Sequence, residues 1–87
     1  MQLQFNRRFL KQYARLPLVD RKKVDHAILL FRDNPFHPQL KTHKLIGKQK
    51  CFYAFKAGYD LRVIFQEKDG FTEVLLLDLG SHDQVYR

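Results

Sequence analysis

The fold is decided by residues 51–86, which read CFYAFKAGYDLRVIFQEKDGFTEVLLLDLGSHDQVY. Three apolar runs of strand-forming residues are separated at Ala57-Gly58 and at Asp69-Gly70, and such breaks mark tight turns. The stretch therefore predicts a three-stranded antiparallel meander. The polar groups in it that could support chemistry lie in the middle run and after the last run: Arg62, His82 and Tyr86.

The N-terminal part of the chain predicts two helices. Residues 2–5 alternate polar and apolar as a short strand does, Asn6 is placed to cap a helix running to about Arg15, and Pro17 ends that helix. Asp20 is expected to cap a second helix, which ends at Asn34-Pro35. Helices joined by so few residues form an antiparallel hairpin. The sequence therefore predicts an α+β fold, with a two-helix hairpin packed on a small antiparallel sheet.

Length and composition predict a single domain over residues 1–87. A chain of 87 residues is long enough for one small core. No segment approaches the roughly 18 consecutive apolar residues of a membrane span, and the N-terminus lacks the apolar region of a signal peptide, so a cytoplasmic protein without membrane contact is expected. The lone cysteine, Cys51, is expected to be a small buried apolar residue in a strand.

The charge of the chain predicts a polyanionic partner. The formal net charge is +7, and no acidic residue occurs between Asp33 and Asp60. A second basic cluster lies in the first predicted helix. Nucleic acid and an acidic protein would both use such a surface, so charge alone leaves the two open. If the partner is RNA, the residues expected to bind its phosphates are Lys44, Lys48, Lys50 and Lys56.

Residues 35–50 show no sustained periodicity and are expected to form an irregular crossing segment. Leu45 and Ile46 are expected to anchor this segment to the core. His43 and its neighbouring lysines would then face solvent or a ligand.

The whole pattern resembles the RelE/ParE superfamily of small bacterial toxins. The resemblance covers nearly the whole chain and rests on a short strand, a helical hairpin, an L-x-G element at Leu45-Ile46-Gly47, the run L-R-V-I-F, and the ending G-x-H-x-x-x-Y. The ending is most similar to the YafQ and RelE branches, which cleave messenger RNA. The resemblance implies a toxin of a type II toxin–antitoxin system. Its implied partners are a cognate antitoxin, mRNA and the ribosome.

The resemblance also implies roles for individual residues. Arg62 matches the central-strand arginine that contacts the scissile phosphate in the RelE branch, and Tyr86 matches its C-terminal aromatic position. His82 and His43 are similar to two histidines of the YafQ branch. The chain departs from RelE where that branch has two catalytic lysines. Here only Lys56 lies near enough to replace them.

The residue types agree with RNA cleavage that needs no metal. Such cleavage uses the substrate's own 2'-hydroxyl, a proton acceptor, a proton donor and cations at the phosphate. Imidazole exchanges protons near neutral pH, guanidinium binds phosphate with two hydrogen bonds, and a tyrosine can stack on a base or donate a proton. The acidic residues show no paired spacing and no phosphate-binding glycine loop is present, so neither a metal nor a cofactor is expected.

Each assignment has a structural alternative. His82 could simply cap a turn, Arg62 could pair with Asp78 on the next strand, Tyr86 could only pack, and His43 could have no role. Two other function classes also fit the pattern: a ParE-like poison that binds DNA gyrase without catalysis, and a non-catalytic RNA-binding module.

Overall fold

The computed structural model describes residues 1–47 and 52–86. The elements in chain order are β1 (Gln2–Phe5), α1 (Arg7–Arg15), α2 (Leu18–Asp33), a 3₁₀ turn (Pro38–Leu40), β2 (His43–Lys44), β3 (Tyr53–Ala57), β4 (Leu61–Lys68), β5 (Glu73–Ser81) and α3 (His82–Val85). The predicted α+β fold is confirmed. Cys51, Lys48 and Lys50 lie outside the described residues.

Within the described ranges the strands form one sheet in the order β1-β5-β4-β3-β2. The predicted meander is present, because β3 pairs antiparallel with β4 and β4 pairs antiparallel with β5. The sheet extends further at both edges. β1 joins β5 in parallel, and the two-residue strand β2 joins β3. The sheet is therefore mixed at one edge, which the sequence pattern did not indicate.

Local sequence signals explain where the helices begin and end. The side chain of Asn6 accepts a hydrogen bond from the backbone N–H of Phe9 at 2.8 Å, as an N-cap does. The prediction that Asp20 caps α2 is wrong. The helix begins at Leu18 directly after Pro17, and Asp20 lies in its first turn, where a carboxylate is favoured by the helix dipole. Asn34 ends α2 as predicted.

The helices cover one face of the sheet and bury the main core there. Phe31 of α2 lies against Phe55 and Phe65, with ring centroids 4.7 and 4.8 Å apart. Burying each such side chain contributes about 1.5–3 kcal/mol.

A smaller apolar cluster covers part of the opposite face, formed by Leu45, Ala54, Ile64 and Val85, with Tyr86 packed against it. Leu45 is the anchor that the sequence predicted. Ile46 is not, because it is 90% exposed. We call this side of the sheet, which α1 and α2 do not cover, the open face. None of the described helices has the length and apolar character needed to cross a membrane.

Candidate active site

Two cations lie directly opposite each other on the open face. Val63 is buried in the helix-side core, so the alternation of strand β4 turns Arg62 towards the open face. Arg62 is paired in register with Lys56 of β3 on one side and with Gly80 of β5 on the other. Like charges directly opposite each other destabilise a sheet. The third position of this row, Gly80, has no side chain of its own and is covered by the side chain of Gln84. The row therefore offers two facing positive charges.

The alternative pairing of Arg62 with Asp78 is not formed. The Asp78 carboxylate accepts a hydrogen bond from Nε of Arg8 at 3.2 Å instead. Nη1 of Arg62 donates to the backbone carbonyls of Tyr59 at 3.1 Å and Leu61 at 3.3 Å. These bonds fix one side of the guanidinium. Within residues 1–47 and 52–86, no carboxylate lies at ion-pair distance from it.

His82 is the first residue of α3 and is not its cap. Ser81 is the cap: its hydroxyl accepts from the N–H of Gln84 at 3.2 Å, while Oε1 of Gln84 accepts from the N–H of Ser81 at 2.8 Å. This reciprocal pair is a capping box. It leaves the imidazole of His82, whose side chain is 62% exposed, available to a ligand. The capping alternative for His82 is thereby excluded.

Tyr86 holds the imidazole from one side. The rings of His82 and Tyr86 meet edge to face with centroids 4.5 Å apart. The Tyr86 hydroxyl is buried and has no hydrogen-bond partner among the described residues. Burial raises the pKa of Tyr86, and the positive charge of Arg62 partly lowers it again, so the guanidinium lies within electrostatic range of the phenol. In this arrangement the tyrosine ring, and not its hydroxyl, borders the open face.

The two other predicted site residues in the described ranges, His43 and Lys44, lie on opposite faces of the sheet. His43 is paired with Ala54, so its position belongs to the open face, and its Nδ1 lies 3.0 Å from the carbonyl oxygen of Lys41. Lys44 is paired with Tyr53, whose ring stacks on Phe65 on the helix side. Lys44 therefore lies on the opposite side of the sheet from the Arg62 row. The structure brings together Arg62, Lys56, His82 and Tyr86.

Sequence reasoning noted Gly80 as part of the ending G-x-H-x-x-x-Y without a structural role, and it missed Gln84. A Cβ atom at residue 80 would lie 2.6 Å from Oε1 of Gln84, so the capping box requires glycine there. The spacing S-x-x-Q at Ser81 to Gln84 is a recognisable capping-box signal, and it could have located the start of α3. The described residues include no group of three or more His, Cys, Asp or Glu side chains that could hold a metal ion.

A second surface lies between the two N-terminal helices. A groove of about 430 Å³ opens between α1 and α2, and its floor includes Phe9 and Ile28. The Tyr13 hydroxyl donates to the Asp25 carboxylate at 2.6 Å across this groove, and that hydrogen bond raises the pKa of Tyr13. The apolar side chains exposed along it are Phe5, Leu10 and Leu29, at 41%, 51% and 64%.

Comparisons with known proteins give structural matches only. The sequence matches no protein-family model and no curated protein. The fold is similar to that of a copper-bound mutant toxin from Helicobacter pylori, with a TM-score of 0.79 and 31% identity over 99% of both chains. It is also similar to YafQ from E. coli, with a TM-score of 0.77 and 17% identity over 99% of this chain and 98% of that one. A third similar structure is the archaeal RelE–RelB complex from Pyrococcus horikoshii, with a TM-score of 0.76 and 17% identity over 97% of both chains.

Proposed function

We infer that this chain, which belongs to the RelE/ParE superfamily of toxins, is the toxin of a type II toxin–antitoxin pair and cleaves messenger RNA, on the ribosome, without a metal. The observation that carries this proposal is the pair of facing cations, Lys56 and Arg62, beside the His82–Tyr86 contact. A protein that acts by binding alone has no need of an imidazole at that position. We therefore favour cleavage over a gyrase-binding function.

The proposed chemistry uses the 2'-hydroxyl of the RNA as nucleophile. Its oxygen attacks the neighbouring phosphorus, the bond from phosphorus to the 5'-oxygen breaks, and the product carries a 2',3'-cyclic phosphate. Negative charge grows on the phosphate oxygens during this step, and Arg62 and Lys56 stabilise it. The bonds from Arg62 to two carbonyls hold the guanidinium in place before the substrate arrives.

One proton must leave the 2'-hydroxyl and one must reach the 5'-oxygen. His82 is the residue we assign to a proton transfer, because its imidazole is exposed and contacts the ring of Tyr86 and, through Nδ1 at 3.6 Å, the exposed carboxylate of Asp83. Tyr86 is a positioning residue in this proposal. Its buried hydroxyl would have to turn outward to donate a proton itself.

An antitoxin is the proposed protein partner. Structural neighbours are described as RelE–RelB and DinJ–YafQ complexes. The groove between α1 and α2 exposes the apolar side chains of Phe5, Leu10 and Leu29. The chain as a whole carries a net charge of +7. The apolar side of an amphipathic helix fits such a groove, and acidic residues on that helix would be attracted by the charge.

The test of the proposed function is His82→Ala, measured by cleavage of RNA on ribosomes and as free RNA. Loss of one acid–base group lowers the rate by about 10²- to 10⁴-fold. The matched control is His26→Ala, since His26 is an exposed histidine on α2, away from the open face. Cleavage by His82→Ala at the parental rate would remove this residue from the mechanism and make the gyrase-binding function the better proposal.

A further inference from the structure

A second cleft lies on the other side of α3 from His82. It has a volume of about 470 Å³ and opens between α1 and the junction of β5 with α3. His82 and Tyr86 are four residues apart and share one side of the short helix, whereas Gln84 lies between them and faces the cleft. The helix α3, together with Gly80, which pairs with Arg62 and also lines the cleft, therefore forms the boundary between the cleft and the residues that we call the catalytic cluster, Lys56, Arg62, His82 and Tyr86.

The cleft is lined by two amide side chains whose oxygens are already used. β1 ends at Phe5 opposite Leu76, so the N–H of Leu79 has no strand partner on that edge, and it donates to Oε1 of Gln12 and to Oδ1 of Asp78, each at 2.9 Å. Oε1 of Gln84 accepts from the N–H of Ser81. A side-chain amide whose oxygen is bound in this way keeps its NH₂ group as a free donor. In the part of the chain that the structure describes, neither NH₂ group has an acceptor.

The charged side chains at the cleft are both arginines. Arg15, in the last turn of α1, is exposed and forms no ion pair with any described residue. The charge of Arg8 is largely offset by Asp78, so the net positive charge at the cleft comes from Arg15. Leu16, which is half-buried, supplies the apolar wall, since the Leu79 side chain is buried in the core. Two amide donors, a free guanidinium and an apolar wall together fit a phosphate with its attached sugar or base.

We propose that this cleft binds a nucleotide of the RNA that flanks the cleavage site. The proposal rests on the proposed function, because it adds a subsite to the same substrate. An RNA strand reaching the cleft from the catalytic cluster has to pass round α3, and a helix with its side chains is about 10–12 Å wide. The nucleotide in the cleft is therefore a neighbour of the scissile phosphate and not the scissile group. Its recognition requires phosphate and sugar contacts only, so it adds affinity without base preference.

The substitutions that test the cleft are Gln12→Glu and Gln84→Glu. Each keeps an oxygen acceptor for the backbone N–H that holds the side chain, and glutamate is itself a preferred residue at the last position of a capping box. Each replaces the free NH₂ donor by a carboxylate oxygen. The fold should be unchanged in Gln84→Glu, whereas Gln12→Glu places a second carboxylate beside that of Asp78, which accepts from the same N–H, so its stability is measured together with its binding. In both variants the cleft becomes repulsive to phosphate. Gln39→Glu, at an exposed position on the 3₁₀ turn, is the control with the same change of net charge.

The probe is a five-nucleotide RNA carrying 2'-O-methyl groups, which cannot be cleaved, titrated into ¹⁵N-labelled protein. We expect the side-chain NH₂ resonances of Gln12 and Gln84 to shift on binding. Each glutamate variant should bind the probe about tenfold or more weakly than the Gln39→Glu control. Arg15→Gln should lower the slope of log affinity against log salt by about 0.7, the value for one contact to single-stranded nucleic acid.

The outcomes separate the cleft from the proposed function. If the probe moves the resonances of His82 and Arg62 but neither glutamine, or if the glutamate variants bind as the control does, the cleft proposal is wrong and the proposed function stands. If the probe moves no resonance at all, the cleft proposal is wrong, while the proposed function is decided separately by cleavage on ribosomes, which does not require binding of a free five-nucleotide RNA. If the glutamate variants keep RNA affinity but lose binding to an antitoxin, the cleft belongs to the protein partner and the proposal is again overturned.

Discussion

Gly80 and Gln84 are in close contact, so we expect substitutions at the two positions to be coupled in their effects on stability. A methyl group at residue 80 would lie 2.6 Å from Oε1 and 3.1 Å from Cβ of Gln84. Gln84 would have to swing away, which breaks its 2.8 Å bond from the N–H of Ser81. Losing a cap interaction costs about 1 kcal/mol of unfolding free energy. Replacing glycine by alanine inside a strand raises the free energy of unfolding by roughly 0.5–1 kcal/mol, because alanine loses less backbone entropy than glycine on folding.

The sign of the Gly80→Ala effect should therefore depend on residue 84. In the parental chain the lost cap and the strain exceed the entropy gain, so Gly80→Ala lowers stability. In a Gln84→Ala background the cap is already lost and only the 3.1 Å contact to Cβ remains, so the same substitution should be neutral or stabilising. The double variant should be about 1 kcal/mol more stable than the sum of the two single effects predicts.

Chemical denaturation of the four proteins measures this coupling, and thermal unfolding should show it as about 4–8 °C. The cleavage rate gives a second readout, because the capping box sets the direction of α3 and hence of His82. Misplacing a catalytic group by about 1 Å costs on the order of 100-fold in rate. Single effects that simply add, within about 0.5 kcal/mol, would mean that Gly80 and Gln84 are not coupled and that the account of α3 is wrong.

Three further predictions concern the open face. Tyr86→Phe removes a buried hydroxyl without a partner and keeps the ring beside His82, so stability should be unchanged or raised by up to about 1 kcal/mol, and cleavage should persist if the ring alone is used. Burial raises the pKa of Tyr86, so the phenol holds its proton more tightly in the folded chain than in the unfolded one. The stability that comes from this difference is fully present below pH 10 and is lost as the pH rises further. The variant should therefore be less sensitive to alkaline unfolding than the parent. Arg62→Gln should slow cleavage about 10²- to 10³-fold with little loss of stability, against Arg32→Gln on α2 as control. Excess EDTA should leave the cleavage of free RNA intact, and rescue by added magnesium or copper after a loss would contradict the side-chain mechanism.

Much of the fold could be predicted because local signals mark it. The turns at Ala57-Gly58 and Asp69-Gly70 separate the strands of the meander, and Asn6 and Pro17 set the limits of α1. The parallel pairing of β1 with β5 could not be predicted, since the period of a strand identifies its buried face and says nothing about its neighbour. The exposure of Ile46 beside the buried Leu45 likewise depends on which way the crossing segment turns.

The candidate site was predictable in its residue types but not in its arrangement. Strand β5 carries an extra residue, Leu77, opposite the step from Ile64 to Phe65. This bulge shifts the register of the rest of β5 by one residue, which places Gly80 opposite Arg62, where the register of Phe65 and Leu76 would have placed Leu79. No sequence pattern predicts the bulge, and the register of β4 and β5 therefore could not be predicted. For this reason the sequence could not decide whether Arg62 binds phosphate or pairs with Asp78. The roles of His82, Tyr86 and His43 in catalysis stay predictions.

The opposition of Lys56 and Arg62 is informative because it is unfavourable for the isolated fold. Like charges directly opposite each other cost roughly 0.2–1 kcal/mol, and exposed strand positions accept many other residues without that cost. Local rules that are broken without a structural benefit tend to mark functional sites. A bound phosphate would turn the repulsion into attraction, since both cations could contact it. A surface that only kept the chain in solution would gain nothing from placing its cations face to face, so their position favours an oxyanion ligand at this row.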